Sequence, residues 1–521
     1  MSSVSHAAPL PAHPFPRLLV ALVTASLLLG LSMAQQPARA DASDSASGHI
    51  VVLDGVVGAD GSFQVGGSDI ANLAAARQLV VASGATIEVD LADQVGVLLV
   101  RATPEAAAVI AASGLVSEAA PDFAWKAFPS YEEALASGEL TLIAADRAPE
   151  GGAEQTADPL EALQWDMAQM DTAAAHDLQA GSRSVDVGIL DSGIDGSHPD
   201  FVIDGGGSNV DCARGRNSVV LAPTGPGVGS PLPCVDNQFH GTHVAGTVAA
   251  QANGIGIVGV APNVTLVPVK VCDASGYCYA SGVVDGITYA ADQRLDVINM
   301  SFFVDDDAFQ ESTEFKCSSD ETQRAFRTAV ERALKYAVKQ GVTPVAALGN
   351  SDQDLANPVD DAGQPIDNEC EVVPAESDGV IGTVALGSQS EKASYSNYGA
   401  GEADISAPGG NGTTGDCRTT ILSTLPAGAY GCIQGTSMAS PHAAGLAALI
   451  VSQFGKVTKG GDVKLAPSRV QSILESTAVD IGLAGYDECF GHGRINALRA
   501  VTNDTSVLYD PAAPLCPEYG E

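Results

Sequence analysis

Basic side chains are scarce in this chain. Lys and Arg total 25 against 63 Asp and Glu, for a formal net charge of −38. Nucleic acid needs basic patches to meet its phosphates, so a nucleic-acid partner is excluded. Stable docking on anionic lipid headgroups is excluded for the same reason. The acidity is no tail: residues 1–157 carry −11 and the remainder −27. A solvated surface that keeps the protein from self-associating, as a monomer, explains it best. Cysteine is absent before position 212, and no two cysteines have CxxC spacing, which speaks against a structural zinc site. Long apolar runs are absent too, except Leu18 to Leu31. That run is short of the ~20 residues a spanning helix needs. There is no internal repeat and no low-complexity tract.

What is present describes a folding chain, 45% hydrophobic and 17% charged over 521 residues. Arg17 precedes the apolar run, and Ala38-Arg39-Ala40 follows it as a small-residue cleavage site. Residues 1–40 therefore read as an export signal, and the protein as secreted, extracellular or periplasmic. The ten cysteines fit an oxidising compartment and imply disulfides confined to the C-terminal two-thirds. Spacing does not fix the pairing; the neighbour pairs 212–234, 272–278 and 417–432 are the simplest expectation.

Residues 41–128 hold a small cysteine-free block. Strands are expected at His49–Val57, Thr86–Leu91 and Val95–Ala102, and helices at Asp69–Ser83 and Pro104–Ser113. Val116–Phe128 closes the block as an extended segment. The order is that of a split β-α-β, ferredoxin-like α+β domain. Residues 129–157, rich in Glu, Ala and Gly, read as an exposed linker. From Asp158 to Asn503 the pattern changes. Val185–Leu190, Thr265–Val271, Val297–Ser301, Thr343–Leu348 and Val380–Leu386 are short and apolar on both faces, as buried parallel strands are. Helical stretches at His240–Gln251, Gly282–Gln293 and Thr322–Lys339 alternate with them. This predicts an α/β fold, a doubly wound parallel sheet, with residues 504–521 left as a short tail.

Three motifs carry chemistry. Asp191, in Asp191-Ser192-Gly193-Ile194-Asp195, follows a buried strand. His240, in His240-Gly241-Thr242-His243-Val244-Ala245-Gly246, opens a helix. Ser437, in Gly435-Thr436-Ser437-Met438-Ala439-Ser440-Pro441-His442, sits at another helix N-terminus. Singly, each has an ordinary reading as a turn Asp, a core His or a Ser cap. Together they supply an acid, a base and a nucleophile.

At this point the chain resembles the subtilisin-like serine proteases, from about Gln164 to Val501. The resemblance implies a serine endopeptidase with Ser437 as nucleophile, His240 as general base and Asp191 holding the imidazole. Asn350, in Ala347-Leu348-Gly349-Asn350, matches the oxyanion-hole amide. Ser275-Gly276-Tyr277 and Ser301-Phe302-Phe303 match the two walls that bind a peptide substrate. Phe303 stands where the family usually has glycine, an expected change to the primary pocket. Asp200 and Asn253, with the carbonyls of Gln251, Ile255 and Ile257 and the side chain of Gln164, match a structural calcium site. The acidic runs Asp305–Asp307 and Asp360-Asp361 are candidates for further ions, with solvated surface as the ordinary alternative. The 41–128 block resembles the family's propeptide, an intramolecular inhibitor and folding template. His243 and His442 match no catalytic role and read as packing residues. Two rival functions remain: an inactive member of the fold used for binding, and an α/β-hydrolase. The second needs Gly-x-Ser-x-Gly, and no serine here has glycine at both −2 and +2.

Overall fold

The computed structural model describes residues 46–57, 63–65, 70–144, 158–222, 229–304, 320–359, 365, 372–412, 416–459 and 463–516. The export signal, the acidic runs at 305–307 and 360–361, and Cys317 and Cys370 lie outside the described residues.

In the first block the expected strand His49–Val57 is divided into Ser47–Leu53 and Gly55–Val57, and Val95 ends a short helix, Ala92–Val95, before strand Val97–Ala102. Strands Ser47–Leu53, Thr86–Leu91, Val97–Ala102 and Val116–Pro121 form a four-stranded antiparallel sheet. Helices Ile70–Ala82 and Pro104–Ala111 cover one face. Pro104 sits where a helix needs no N–H, and the Thr103 hydroxyl accepts from the Ala106 amide. Val51, Leu53, Leu73, Val80, Leu98, Val100 and Ile110 make a core under these helices. The alternate side chains, Ile50, Val52, Val97 and Leu99, point the other way and join a second core.

That second core belongs to the larger sheet. Seven strands run in the order Arg216–Asn217, Thr265–Lys270, Asp186–Asp191, Val297–Met300, Thr343–Ala347, Ile381–Leu386 and Ile405–Pro408. All neighbours pair in parallel. On one face Val187, Ile189 and Val345 pack under helices His240–Ala249 and Thr436–Phe454. On the other, Leu190, Val269, Ile298 and Ala346 pack under helices Ala280–Asp292 and Glu321–Gln340. The small block sits on this second pair of helices. Its Asp122 carboxylate accepts from the amide (2.9 Å) and hydroxyl (2.6 Å) of Ser281, capping the first helix. Glu118 meets Arg324 at 3.1 Å beside the second.

Two expectations need correcting. Residues 129–144 are not an exposed linker. Ser130 and Glu133 form a reciprocal capping box that starts helix Tyr131–Ser137. Thr141–Ile143 then pairs antiparallel with Ala429–Ile433. Ala134 and Leu140 are buried in the main core. The polar composition masked these two anchors, and only residues 145–157 are left undescribed. The C-terminal tail is also held down: Asp480 bridges to Tyr509, and Cys489 is bonded to Cys516. The three expected neighbour disulfides, 212–234, 272–278 and 417–432, are all formed. Among the described residues no helix is long and apolar enough to cross a membrane.

Candidate active site

Asp191 ends its strand fully buried. Its Oδ1 accepts from the Ser192 amide at 2.7 Å, and His240 Nδ1 lies 2.9 Å from its Oδ2. A carboxylate only accepts, so Nδ1 carries the proton and Nε2 is left as a base. The backbone bends hard to present this imidazole. Phe239, just before it, has φ +140° although it carries a bulky side chain. Asp236 holds that bend, its Oδ1 accepting from the amides of Gln238 (3.0 Å) and Phe239 (3.1 Å). Gly241 is required next, because a side chain there would strike the Gly193 carbonyl and Asp191.

Ser437 lies one residue into helix Thr436–Phe454, at 6% exposure. The strand end at Ser301 fixes it from both sides. Ser301 Oγ donates to the Ser437 carbonyl at 2.8 Å, and Ser437 Oγ donates to the Ser301 carbonyl at 2.9 Å. The hydroxyl is therefore turned to Ser301 and not to His240. Asn350 Oδ1 accepts from the Thr436 amide (2.9 Å) and hydroxyl (2.8 Å). That fixes the amide plane and leaves its N–H groups as donors beside the Gly435–Ser437 turn. His243 and His442 are packing residues, as expected, both fully buried. His442 joins the Met438 carbonyl to Asp166 (2.9 Å), tying the nucleophile helix to helix Trp165–Gln169.

The cleft is filled by the chain itself. Ala124–Lys126 pairs antiparallel with Tyr277–Tyr279, and the amides of Ala127 (3.0 Å) and Phe128 (3.2 Å) donate to the Gly276 carbonyl. Gly276 and Tyr277 thus pair with the chain's own segment, with Ser275 in the turn beside them, its amide on Asp273. Trp125 is 4% exposed and meets Phe302 edge-on at 6.2 Å. Phe303 lies beside Gly349, next to Asn350. The Phe128 ring is stacked on His240 with centroids 3.7 Å apart. The chain then turns away, Pro129 giving its carbonyl to Gln238.

The domain sequence from residue 182 to 493 matches the subtilase family model. The chain belongs to the subtilase family. It is 34% identical over 340 residues to subtilisin NAT of Bacillus subtilis subsp. natto, covering 65% of this chain and 71% of that protein. A subtilisin of Bacillus pumilus is equally identical over the same length, with 99% of that protein covered. The fold also matches the epidermin leader peptide processing serine protease of Staphylococcus aureus (TM-score 0.63, 21% identity, 89% of this chain and 99% of that one). This subtilase is a serine-type endopeptidase.

The expected calcium residues are only partly brought together. Asp200 is buried, with Oδ2 accepting from the Ile257 amide at 3.0 Å and Oδ1 without a hydrogen-bond partner. Burial pushes its carboxyl up to about 7, and the Tyr430 hydroxyl bonds to it. Gly256, at φ +57°, leaves the space that this carboxylate and hydroxyl occupy. Asn253 Oδ1 faces the loop's own Ile255 amide (3.3 Å), while its Nδ2 donates to Pro199 and Val202. The Gln251 carbonyl, the expected donor, accepts from the Asn253 amide at 2.9 Å. Gln164 is not at this loop's centre: both ends of its amide are bonded to the Val258 backbone at 2.9 Å. Asp158 stands there instead, buried, its Oδ1 accepting from the amides of Asn253 (3.1 Å) and Gly254 (2.8 Å). Sequence reasoning missed Asp158 because it sits beside the linker, with no motif around it. No group of three or more His, Cys, Asp or Glu that would suit a metal exists among the described residues.

Proposed function

We propose that the chain is the precursor of an exported endopeptidase that works through Asp191, His240 and Ser437. Residues 41–128 act as its intramolecular inhibitor. The observation that carries this is the pairing of a buried Asp191–His240 bond with the chain's own peptide lying on His240. Once the peptide leaves, Nε2 is free to take the Ser437 proton as the hydroxyl attacks a substrate carbonyl. Asp191 stabilises the imidazolium so formed, which then protonates the leaving amine. Negative charge develops on the carbonyl oxygen, where Asn350 and the Ser437 amide donate. An extended substrate takes the place of Ala124–Phe128 along Gly276–Tyr279, as an added strand. A serine-directed fluorophosphonate should label the processed enzyme, and His240→Ala should lose the label. Labelling that survives in that variant would refute the base assignment.

Calcium fits the loop at 251–257 in part, and we place it there on the strength of the unpartnered Asp200 oxygen and the adjacent Asp158 carboxylate. Oxygen donors of this kind suit Ca²⁺. When bound, the ion supplies charge compensation to two buried carboxylates and takes no part in the chemistry. EDTA should lower the melting temperature of the processed enzyme by several degrees, and added calcium should restore it. Asp200→Asn should make the melting temperature indifferent to both. A wild-type melting curve unmoved by EDTA would remove the ion from this account.

A further inference from the structure

A buried lysine stands behind the Asp191–His240 pair, and the reaction as described has no use for it. Lys270 ends strand Thr265–Lys270 and is the direct register partner of Asp191. It is 1% exposed, and its ammonium donates to the Ser192 carbonyl. A fully buried lysine is costly unless carboxylates surround it. Here they do. Asp236 receives donors from every side: Ser192 Oγ (3.0 Å), the amides of Gln238 and Phe239, and the amide (3.0 Å) and hydroxyl (2.6 Å) of Thr242. Both Asp236 oxygens act here as acceptors. Ser192 Oγ in turn accepts from the Gly241 amide at 3.0 Å. One connected network thus runs from Lys270 through Ser192 to Asp236 and on to the turn that presents His240.

We propose that Lys270 is a positioning residue of the triad, a buried cation that fixes the Asp191–Ser192 turn and offsets the charge of Asp191 and Asp236, so setting the pH at which His240 becomes a base. This rests on the triad reading above. The charged groups around it are few. Burial acts most on Lys270 and lowers its pKa, while Asp236, Asp273 and Asp191 each favour its charged form. Asp273 is itself held by the amides of Ser275 (2.9 Å) and Tyr277 (3.0 Å) and by the Tyr279 hydroxyl (2.9 Å). His243, one turn beyond His240, is pushed down to about 3 by burial and contributes no charge at neutral pH. Glu139, between helix Tyr131–Ser137 and strand Thr141–Ile143, is a further acidic group that acts with His240.

A cation beside Asp191, the partner of His240, weakens that carboxylate's hold on imidazolium, so its removal raises the imidazole pKa. The test is kcat/KM against pH for the processed enzyme made from the full chain. Lys270→Gln keeps a donor for Ser192 but loses the charge. Its acid limb should move to higher pH by roughly half to one unit. Lys270→Arg should leave the limb in place. Asp236→Asn, which removes a negative charge from the same network, should move it the opposite way and carries the test if the glutamine variant does not accumulate. A wild-type limb that stays put in Lys270→Gln, or in Asp236→Asn, overturns the proposal while leaving the triad intact. A wild-type enzyme with no acid limb overturns the His240 assignment and this proposal with it.

Discussion

Ser437→Ala should abolish peptide hydrolysis and leave the precursor folded and uncut. Removing the nucleophile from a triad of this kind costs on the order of 10⁶ in kcat, because the base then has nothing to activate. The structural cost is small. Ser437 Oγ makes one hydrogen bond, to the Ser301 carbonyl, while the helix start keeps the Ser301 bond to its own carbonyl and the Thr436 bonds to Asn350. A single neutral hydrogen bond is worth about 1 kcal/mol. Activity assays on a peptide library and intact mass of the secreted product check both halves. Full activity in the variant would end the assignment; loss of secreted protein would show that the hydroxyl matters to folding.

The catalytic half of this molecule was legible because its chemistry sits in local motifs. Asp191, His240 and Ser437 each stand at the end of an element whose pattern is plain. Buried strands such as Val297–Met300 read as unbroken apolar runs, so the sheet could be drawn without coordinates. What escaped is non-local. Asp236 carries no motif; it matters only because the chain brings it under Ser192 and Phe239. Lys270 reads as an ordinary strand-end lysine until the parallel register sets it beside Asp191. The edge strands Arg216–Asn217 and Ile405–Pro408 are too short to show a period. Thr141–Ile143 is a strand only because Ala429–Ile433 offers it an edge. The calcium loop shows the limit of carrying a pattern over residue by residue. Gln164 had the right type and roughly the right place, but its amide is fully engaged by Val258.

Trp125→Ala should open the precursor's cleft. On the proposed self-processing, the Ser437→Ala chain should stay uncut, so binding of a fluorescent aromatic peptide reports how often the cleft is free. Trp125 is the anchor of the docked segment. It packs against Phe302 and against Phe326 at 5.9 Å, and Phe326 in turn takes the edge of Phe123 at 5.2 Å. The backbone pairing with Tyr277–Tyr279 survives the substitution, but alone it exchanges hydrogen bonds with water for hydrogen bonds with protein. Truncating a buried aromatic anchor costs about 3 kcal/mol, which is roughly a hundredfold in the open fraction. Phe128 then matters for a different reason. Its ring lies on the face of the imidazole, so as long as Trp125 holds the segment down, no substrate can take that place beside His240. Peptide binding that is equally weak with Trp125 and with alanine would mean that inhibition rests on the sheet-to-helix contact at Asp122 and Glu118 and not on the cleft.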